Sequence, residues 1–461
     1  MELKRQIGLI TAILIIIADV IGTGILTTTG EVLSMTGSAF SILVLFSLGG
    51  VIALTGSLCY AEMATMWPED GGEYVYLKKI YGPLPSFLTG WISLLIGFSL
   101  SAAMSAIQAT NYFNKLTPDG IIHGTWLPKF VAAGMIVILS IIHLIGVQKG
   151  SLVQNVLTVL KLVVIFLFIS LGFYLLDWTE SGRLVGEYSI KESPSILTYG
   201  AALIAIMYAY SGWNGTTYIA GEIENPKRNL PRALLAATLL IIIIYITINV
   251  VYLMSGPGEQ LLSESKDTVG DFAAKKLFGK QISPFFNISF VIILLSSVSV
   301  QMMIGPRVTF AMARDRAIFH SLERVNKRFF TPDLAILLQM AVAVFYVFIG
   351  FNAILKMLIY MGFALSIFPL MSVIGMIYLR YKRPEIPRPF KVPFFPIIPL
   401  IYVILTIIIM VSTFILTTFY YNEYNKYASI TAIMVVLAGI GAYYIWRMIL
   451  KIIAHRKNMK S

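Results

Sequence analysis

Two short stretches of this chain combine residues that free the backbone with residues that bind polar groups. Ile21-Gly22-Thr23-Gly24-Ile25 sets a hydroxyl between two glycines inside an apolar run. About 190 residues further on, Ser211-Gly212-Trp213-Asn214-Gly215 interrupts a second apolar run in the same way. At Gly22-Thr23-Gly24 the chain can leave a helix and turn several amide hydrogens toward one point, and a half-helix starting at Ile25 would aim its positive N-terminus there. A carboxylate suits that point. A half-helix ending near Ser211 would offer free carbonyls, whose partial negative charge suits an ammonium group. Together the two stretches are fit to hold a zwitterion. The plainer reading is that Gly22 and Gly24 serve close helix packing, and that Tyr208, Tyr210 and Trp213 are packing aromatics.

Asp19, Glu62 and Lys161 are the notable charges within apolar runs. An ionised lysine at membrane depth costs about 2.5–3.5 kcal/mol or more, so Lys161 is expected to be functional or firmly paired. Asp19 lies just before the first interruption, where a charge has a structural, proton-related or substrate-related role. Glu62 reads as a structural partner. Asp70-Gly71-Gly72-Glu73 has the superficial look of a metal loop and reads better as a helix turn. His123, His143, His320 and His455 show no ligand spacing, and a single cysteine, Cys59, supports neither a disulfide framework nor a cysteine metal site. No metal and no cofactor is expected.

The elements that must position these residues are membrane helices. Only 13% of the 461 residues are charged, and the mean hydropathy is +0.81. Apolar runs of about 20 residues recur along nearly the whole chain, leaving no room for a soluble domain. The spacing predicts an all-α polytopic protein with twelve transmembrane helices, at about 8–36, 39–66, 84–114, 127–146, 150–176, 195–221, 232–255, 283–312, 332–350, 353–379, 396–419 and 428–452. The first run begins after Gln6 and lacks a cleavage site, so it is expected to remain as helix 1. Residues 256–282 read as a polar external segment with one or two short helices. The net charge of +12 is concentrated in clusters such as Arg314 to Arg328 and Arg380 to Lys391. Placing both termini in the cytoplasm puts most Lys and Arg inside, so the charge reflects membrane orientation rather than nucleic acid binding. An interruption opens each of two five-helix units, 8–176 and 195–379. An odd number of helices per unit inserts the second copy inverted. Helices 11 and 12, 396–452, then lie outside the repeat of a single transport domain.

Four segments in order give the chain a specific likeness: Tyr60-Ala61-Glu62-Met63, Pro68-Glu69-Asp70-Gly71-Gly72-Glu73-Tyr74, Tyr81-Gly82, and Gly221-Glu222-Ile223-Glu224-Asn225-Pro226 through Pro231. It resembles the amino acid–polyamine–organocation superfamily, and most of all its L-type amino acid transporter branch. The resemblance covers helices 1 to 10 and implies the leucine-transporter fold, a 5+5 inverted repeat with broken helices 1 and 6 and a central site between them. By motif position, the amides of Thr23, Gly24 and Ile25 would take the substrate carboxylate, and carbonyls at Val20, Ile21 and Ser211 its amino group. Tyr208 would be an aromatic gate, with Trp213 beside it. Asn214 would brace the unwound region near Gly212 or touch substrate, and Ile96 and Gly97 would line the side-chain pocket. Lys161 would stand where sodium-coupled relatives bind their ion, bridging helices 1 and 8 near Gly22 and the Ser296, Ser297 and Ser299 group, either as a permanent tether or as a group that titrates during transport. Asp19 departs from the uncharged residue the family pattern has there, which leaves room for a cationic substrate.

The expectation is a secondary amino acid transporter of the cell membrane. It would work by alternating access as a sodium-independent exchanger or proton-coupled symporter of neutral L-amino acids, with cationic amino acids or polyamines as the alternative. It is not expected to be an enzyme, since no paired histidines, catalytic cysteine or nucleophile elbow is present. A channel lacks support because no filter sequence is found. An amino acid sensor on a transporter scaffold is the remaining rival. Because Cys59 falls in helix 2, the disulfide-linked accessory glycoprotein of eukaryotic L-type relatives is not expected.

Overall fold

The computed structural model describes residues 5–116, 124–188, 193–264, 268–349, 354–420 and 427–458. It is all-helical. The first expected span is two helices, α1 (Leu9–Val20) and α2 (Thr23–Thr36), followed by α3 (Ala39–Met66), the short α4 (Glu73–Tyr81), and α5 (Pro83–Ile92). A π-helical segment, Ser93–Leu100, joins α5 to α6 (Ser101–Asn114). Then come α7 (Leu127–Leu144), α8 (Val147–Leu175), α9 (Ile196–Ala209), α10 (Pro226–Met254) and α11 (Gly258–Glu264). The long α12 (Val269–Arg314) is kinked at Gly279, and α13 (Asp333–Ile349), α14 (Ile354–Lys382), α15 (Ile397–Ile415) and α16 (Ala428–Asn458) complete the chain.

Local chemistry sets several of these ends. Gly37 takes the left-handed conformation (φ 62°) that stops α2, and the Ser38 hydroxyl then accepts a bond from the Ser41 amide to start α3. Ser195 and Thr198 form a reciprocal capping box at the start of α9. Pro226 opens α10, where its missing N–H costs nothing.

Twelve spans were expected, and this is corrected. Among the described residues, ten helices are long and apolar enough to cross a membrane. The expected spans 195–221 and 332–350 are shorter apolar helices, Ile196–Ala209 and Asp333–Ile349, of 14 and 17 residues. At about 1.5 Å per residue both fall short of a hydrocarbon core of about 30 Å. The first is short because the chain unwinds after Ala209. Its continuation is not an α-helix either: Gly215–Tyr218 and Ala220–Glu222 are tight 3₁₀ turns. The discontinuous helices at 20–23 and 209–215 are consistent with the 5+5 leucine-transporter arrangement. In the 256–282 segment lie α11 and the first turns of α12.

α1 lies against α8, α10 and α12, and α2 against α9. α10 packs along α3, and α12 along α6 and α8. α12 is buried over 83% of its apolar window and α16 over 22%, which puts α12 at the centre and α16 on the rim. The rim is apolar and exposed, as at Ile10, Ile138, Val163 and Ile408, as lipid contact requires.

Candidate substrate site between two broken helices

In α1 the helical bonds end with the Ile21 amide on Ile17 O, and α2 restarts at Thr23 with Gly22 as its cap. A helix start leaves its first amides without intrahelical partners, so those of Thr23, Gly24 and Ile25 point out of α2. Glycine is needed here for approach. A Cβ on Gly22 would lie 2.6 Å from the Ser297 hydroxyl of α12, and one on Gly24 2.5 Å from the Ala209 Cα of α9. Both close contacts bear out the packing role as well. Gly24→Ala is therefore expected to push α2 off α9 and lower stability by about 1–3 kcal/mol or more. Gly97→Ala meets only Leu365 Cδ2, at 3.4 Å, and Ile92 O, at 3.9 Å, and should be near neutral. Thermal unfolding of the two variants in detergent checks the contrast.

In the second break Gly212 has φ +98°, a conformation that L side chains rarely adopt. Its Cα faces α1: an added Cβ would meet Asp19 Oδ2 at 2.7 Å. The two breaks are thus in direct contact. One side chain joins them further. The Tyr245 hydroxyl of α10 lies 2.8 Å from Val20 O and 2.8 Å from Ala209 O, the last carbonyls before each break.

Lys161 of α8 is fully buried, and its ammonium donates to Ala18 O (2.9 Å), Ile21 O and Ser297 Oγ (3.1 Å). Those are all three of its donors. Ser297 Oγ itself lies 3.0 Å from Ile21 O. Of the expected serine group only Ser297 reaches Lys161. Ser296 receives Gln154 Nε2, and Ser299 pairs with His143 Nε2 at 2.9 Å. His123 and the His455 side chain lie outside the described residues.

Two cavities adjoin the breaks. The smaller, about 10 Å³, is lined by Val20, Gly22, Thr23, Gly24, Tyr208 and Ser297, with Asp19 and Ser211. The larger, about 80 Å³, is lined by Gly97, Gly212, Trp213 and Asn214, again with Asp19 and Ser211. Ile21 and Ile25 turn away into a small apolar pocket against α8, α10 and α12. Ile96 is fully buried and lines neither cavity. Trp213 stands edge-on to Tyr60, ring centroids 4.7 Å apart.

Three residues of this region, Ser101, Gln301 and Tyr245, gave no sequence signal, and a fourth, Glu73, stood out only as part of a helix turn. Glu73 begins α4, outside every expected span, yet its carboxylate lines the larger cavity. It accepts bonds from Asn214 Nδ2 (2.6 Å), Tyr218 OH (3.3 Å) and Thr89 Oγ1 (3.3 Å). Burial pushes its carboxyl up to about 7, while these donors pull it down. Asn214, in the second break, is thus tied to this carboxylate. The neighbouring Asp70 accepts the Gly221 amide at 2.9 Å, and burial and Glu222 raise its pKa. Ser101 and Gln301 form a polar row: Tyr208 OH lies 3.5 Å from Ser101 Oγ, which accepts Gln301 Nε2 at 2.8 Å. The π-helical turn before Ser101 widens the helix, as such turns often do at functional sites.

The remaining charges hold the scaffold. Glu62 receives Arg380 Nε (2.8 Å) and Nη2 and the Val392 amide (2.8 Å), with Arg388 Nε 3.3 Å away. Two arginines of the basic cluster thus serve a buried carboxylate. Glu222 pairs with Arg307 of α12 at 2.8 Å, side chains 1% and 2% exposed. The Glu222 carbonyl accepts the amides of Gln6 and Ile7, at 2.9 and 3.0 Å.

Two discontinuous helices meeting at a polar cavity within a lipid-facing bundle define a secondary transporter of the broken-helix class. Residues 7–443 match the amino acid permease family, and the chain belongs to it. It is 29% identical over 446 residues to the serine/threonine exchanger SteT of Bacillus subtilis, covering 96% of this chain and 97% of that one. The human b(0,+)-type amino acid transporter 1 is 31% identical over 397 residues, 85% of this chain and 79% of the relative. The mouse large neutral amino acids transporter small subunit 2 is 30% identical over 410 residues, 86% and 74%. Identities this similar single out no branch of the superfamily. The protein is a multi-pass membrane permease for secondary active amino acid transport, not an enzyme.

Proposed function

We propose that the chain is a sodium-independent exchanger of L-amino acids that works by alternating access. In this reading the free amides of Thr23, Gly24 and Ile25 take the substrate carboxylate. The Ser211 carbonyl, with that of Val20, takes its α-ammonium, while the Ile21 carbonyl, expected beside them, is already held by Lys161 and Ser297; Tyr208 closes the smaller cavity. The observation that carries the proposal is Lys161. Its ammonium occupies oxygens of α1 and α12, the kind of oxygen set that would otherwise suit a sodium ion. A fixed cation there removes the need for a travelling one, and exchange is the cycle that needs no other driving ion. The exchanger named among the relatives supports the same cycle. The two five-helix units, 8–176 and 195–379, would move against each other, with 396–452 outside them and both termini cytoplasmic. The L-type assignment rests on the segments around Pro68 and Pro226.

Proteoliposomes test this. Labelled amino acid should enter saturably, several-fold faster when the lumen holds unlabelled amino acid, and at the same rate when choline replaces sodium. Equal uptake into empty and loaded vesicles rejects exchange, and a sodium requirement rejects the role given to Lys161. Non-saturating ohmic current would reject a carrier altogether.

A further inference from the structure

The two cavities meet at four side chains, since Asp19, Ser101, Ser211 and Gln301 line both. Asp19 projects from the last turn of α1 against the second break, its Oδ2 beside Gly212 and 3.1 Å from where a Cβ on Gly215 would stand. Its carboxylate makes no hydrogen bond and no ion pair with the described residues. Lys161 acts on it only as a nearby charge, because all three ammonium donors go to Ala18, Ile21 and Ser297. A second acceptor lacks a donor too: Gln301 is 4% exposed, and its Oε1 has no donor among the described residues. Glu73 brings another carboxylate to the larger cavity. Among the described residues no lysine, arginine or histidine lines either space.

A buried acceptor without a donor, such as Gln301 Oε1, is costly, and beside it the half-buried Asp19 carboxylate opens on the cavities without a hydrogen-bonding partner among the described residues. A zwitterion with an uncharged side chain leaves this unchanged, because its one ammonium is matched by the backbone carbonyls at the breaks. The free acceptors ask for a second cationic group with several N–H donors. The larger cavity is continuous with the smaller at Asp19, so a side chain that brings such a group would extend from the breaks into it.

We propose that the larger cavity is a side-chain subsite for an amino acid ending in an ammonium or guanidinium group, with Asp19 as its ion-pair partner and Gln301 Oε1 as a further acceptor. This rests on the placement of the substrate's backbone groups at the two breaks, and it selects the cationic class over the neutral one.

Calorimetric titration of the purified full chain with matched pairs separates the two readings. Lysine should bind about tenfold or more tighter than norleucine, and arginine likewise tighter than citrulline. Asp19→Asn should bring each ratio close to one, by weakening the charged member. Equal affinities within each pair in the wild type overturn the subsite and leave the backbone site standing. That comparison needs no variant, so misfolding of Asp19→Asn cannot mask the answer. Cadaverine and agmatine, which lack the carboxylate, should bind far more weakly than lysine and arginine. Binding as tight as the parent amino acids would instead reject the backbone placement and keep the acidic subsite. Uptake of norleucine that carries protons into vesicles, and loses them in Asp19→Asn, would give Asp19 to a proton and overturn the proposal.

Discussion

Lys161→Ala is expected to lower the initial rate of amino acid exchange by about two orders of magnitude or more while the protein still inserts and purifies. The ammonium holds Ala18 O and Ile21 O of the first broken helix and Ser297 of α12 at once, and no neighbour replaces it. Hydrogen bonds to a charged group contribute about 1.5–3 kcal/mol each. Losing them from one state of the transport cycle and not from another shifts populations or barriers by about 100-fold per 2.7 kcal/mol. Counterflow in proteoliposomes, normalised to protein inserted, measures this. Lys161→Arg is a stricter probe, since the fork of a guanidinium does not reproduce three donors radiating from one nitrogen. Wild-type exchange in the alanine variant would remove Lys161 from the mechanism.

The second large effect is on stability. Arg307→Met should destabilise the protein by about 3–5 kcal/mol, because it leaves the Glu222 carboxylate buried without its partner. Glu222→Gln should cost a similar amount by stranding the guanidinium. Joined in one chain the two changes should cost clearly less than their sum, since neither charge is then left uncompensated. Thermal unfolding of the four proteins in one detergent closes this cycle. Strict additivity would show that the pair is not coupled, despite 2.8 Å between Nε and Oε1.

Backbone devices were easier to read from the sequence than side-chain contacts. Gly22, Gly24 and Gly212 announce departures from helix geometry within apolar runs, and both departures are where the residues place them. Lys161 could be placed near Gly22 and the Ser296, Ser297 and Ser299 group because its position matches the helix 5 lysine of the family it resembles. Ser296 and Ser299 differ from Ser297 only in which way they face on α12, a rotation that spacing alone does not decide. Glu73 was missed because it stands outside the spans, in a loop whose approach to Asn214 depends on how α4 folds back. Tyr245 is one tyrosine in an aliphatic run, and nothing local marks the two carbonyls it reaches. The count of twelve spans failed where hydropathy runs on through Gly212 while the helix itself stops at Ala209. Hydropathy records what lipid tolerates, not where hydrogen bonds end.

Tyr245 has a last consequence. A phenol carries one hydrogen, and here two carbonyls lie at the same 2.8 Å from its oxygen. At any instant one of them is without a donor, so the resting site has two equivalent arrangements of a single proton. A cation arriving between the breaks breaks no fully formed bond. It takes the carbonyl that the phenol has left and fixes the hydroxyl on the other, turning a degenerate pair into one ordered arrangement that spans both halves of the chain.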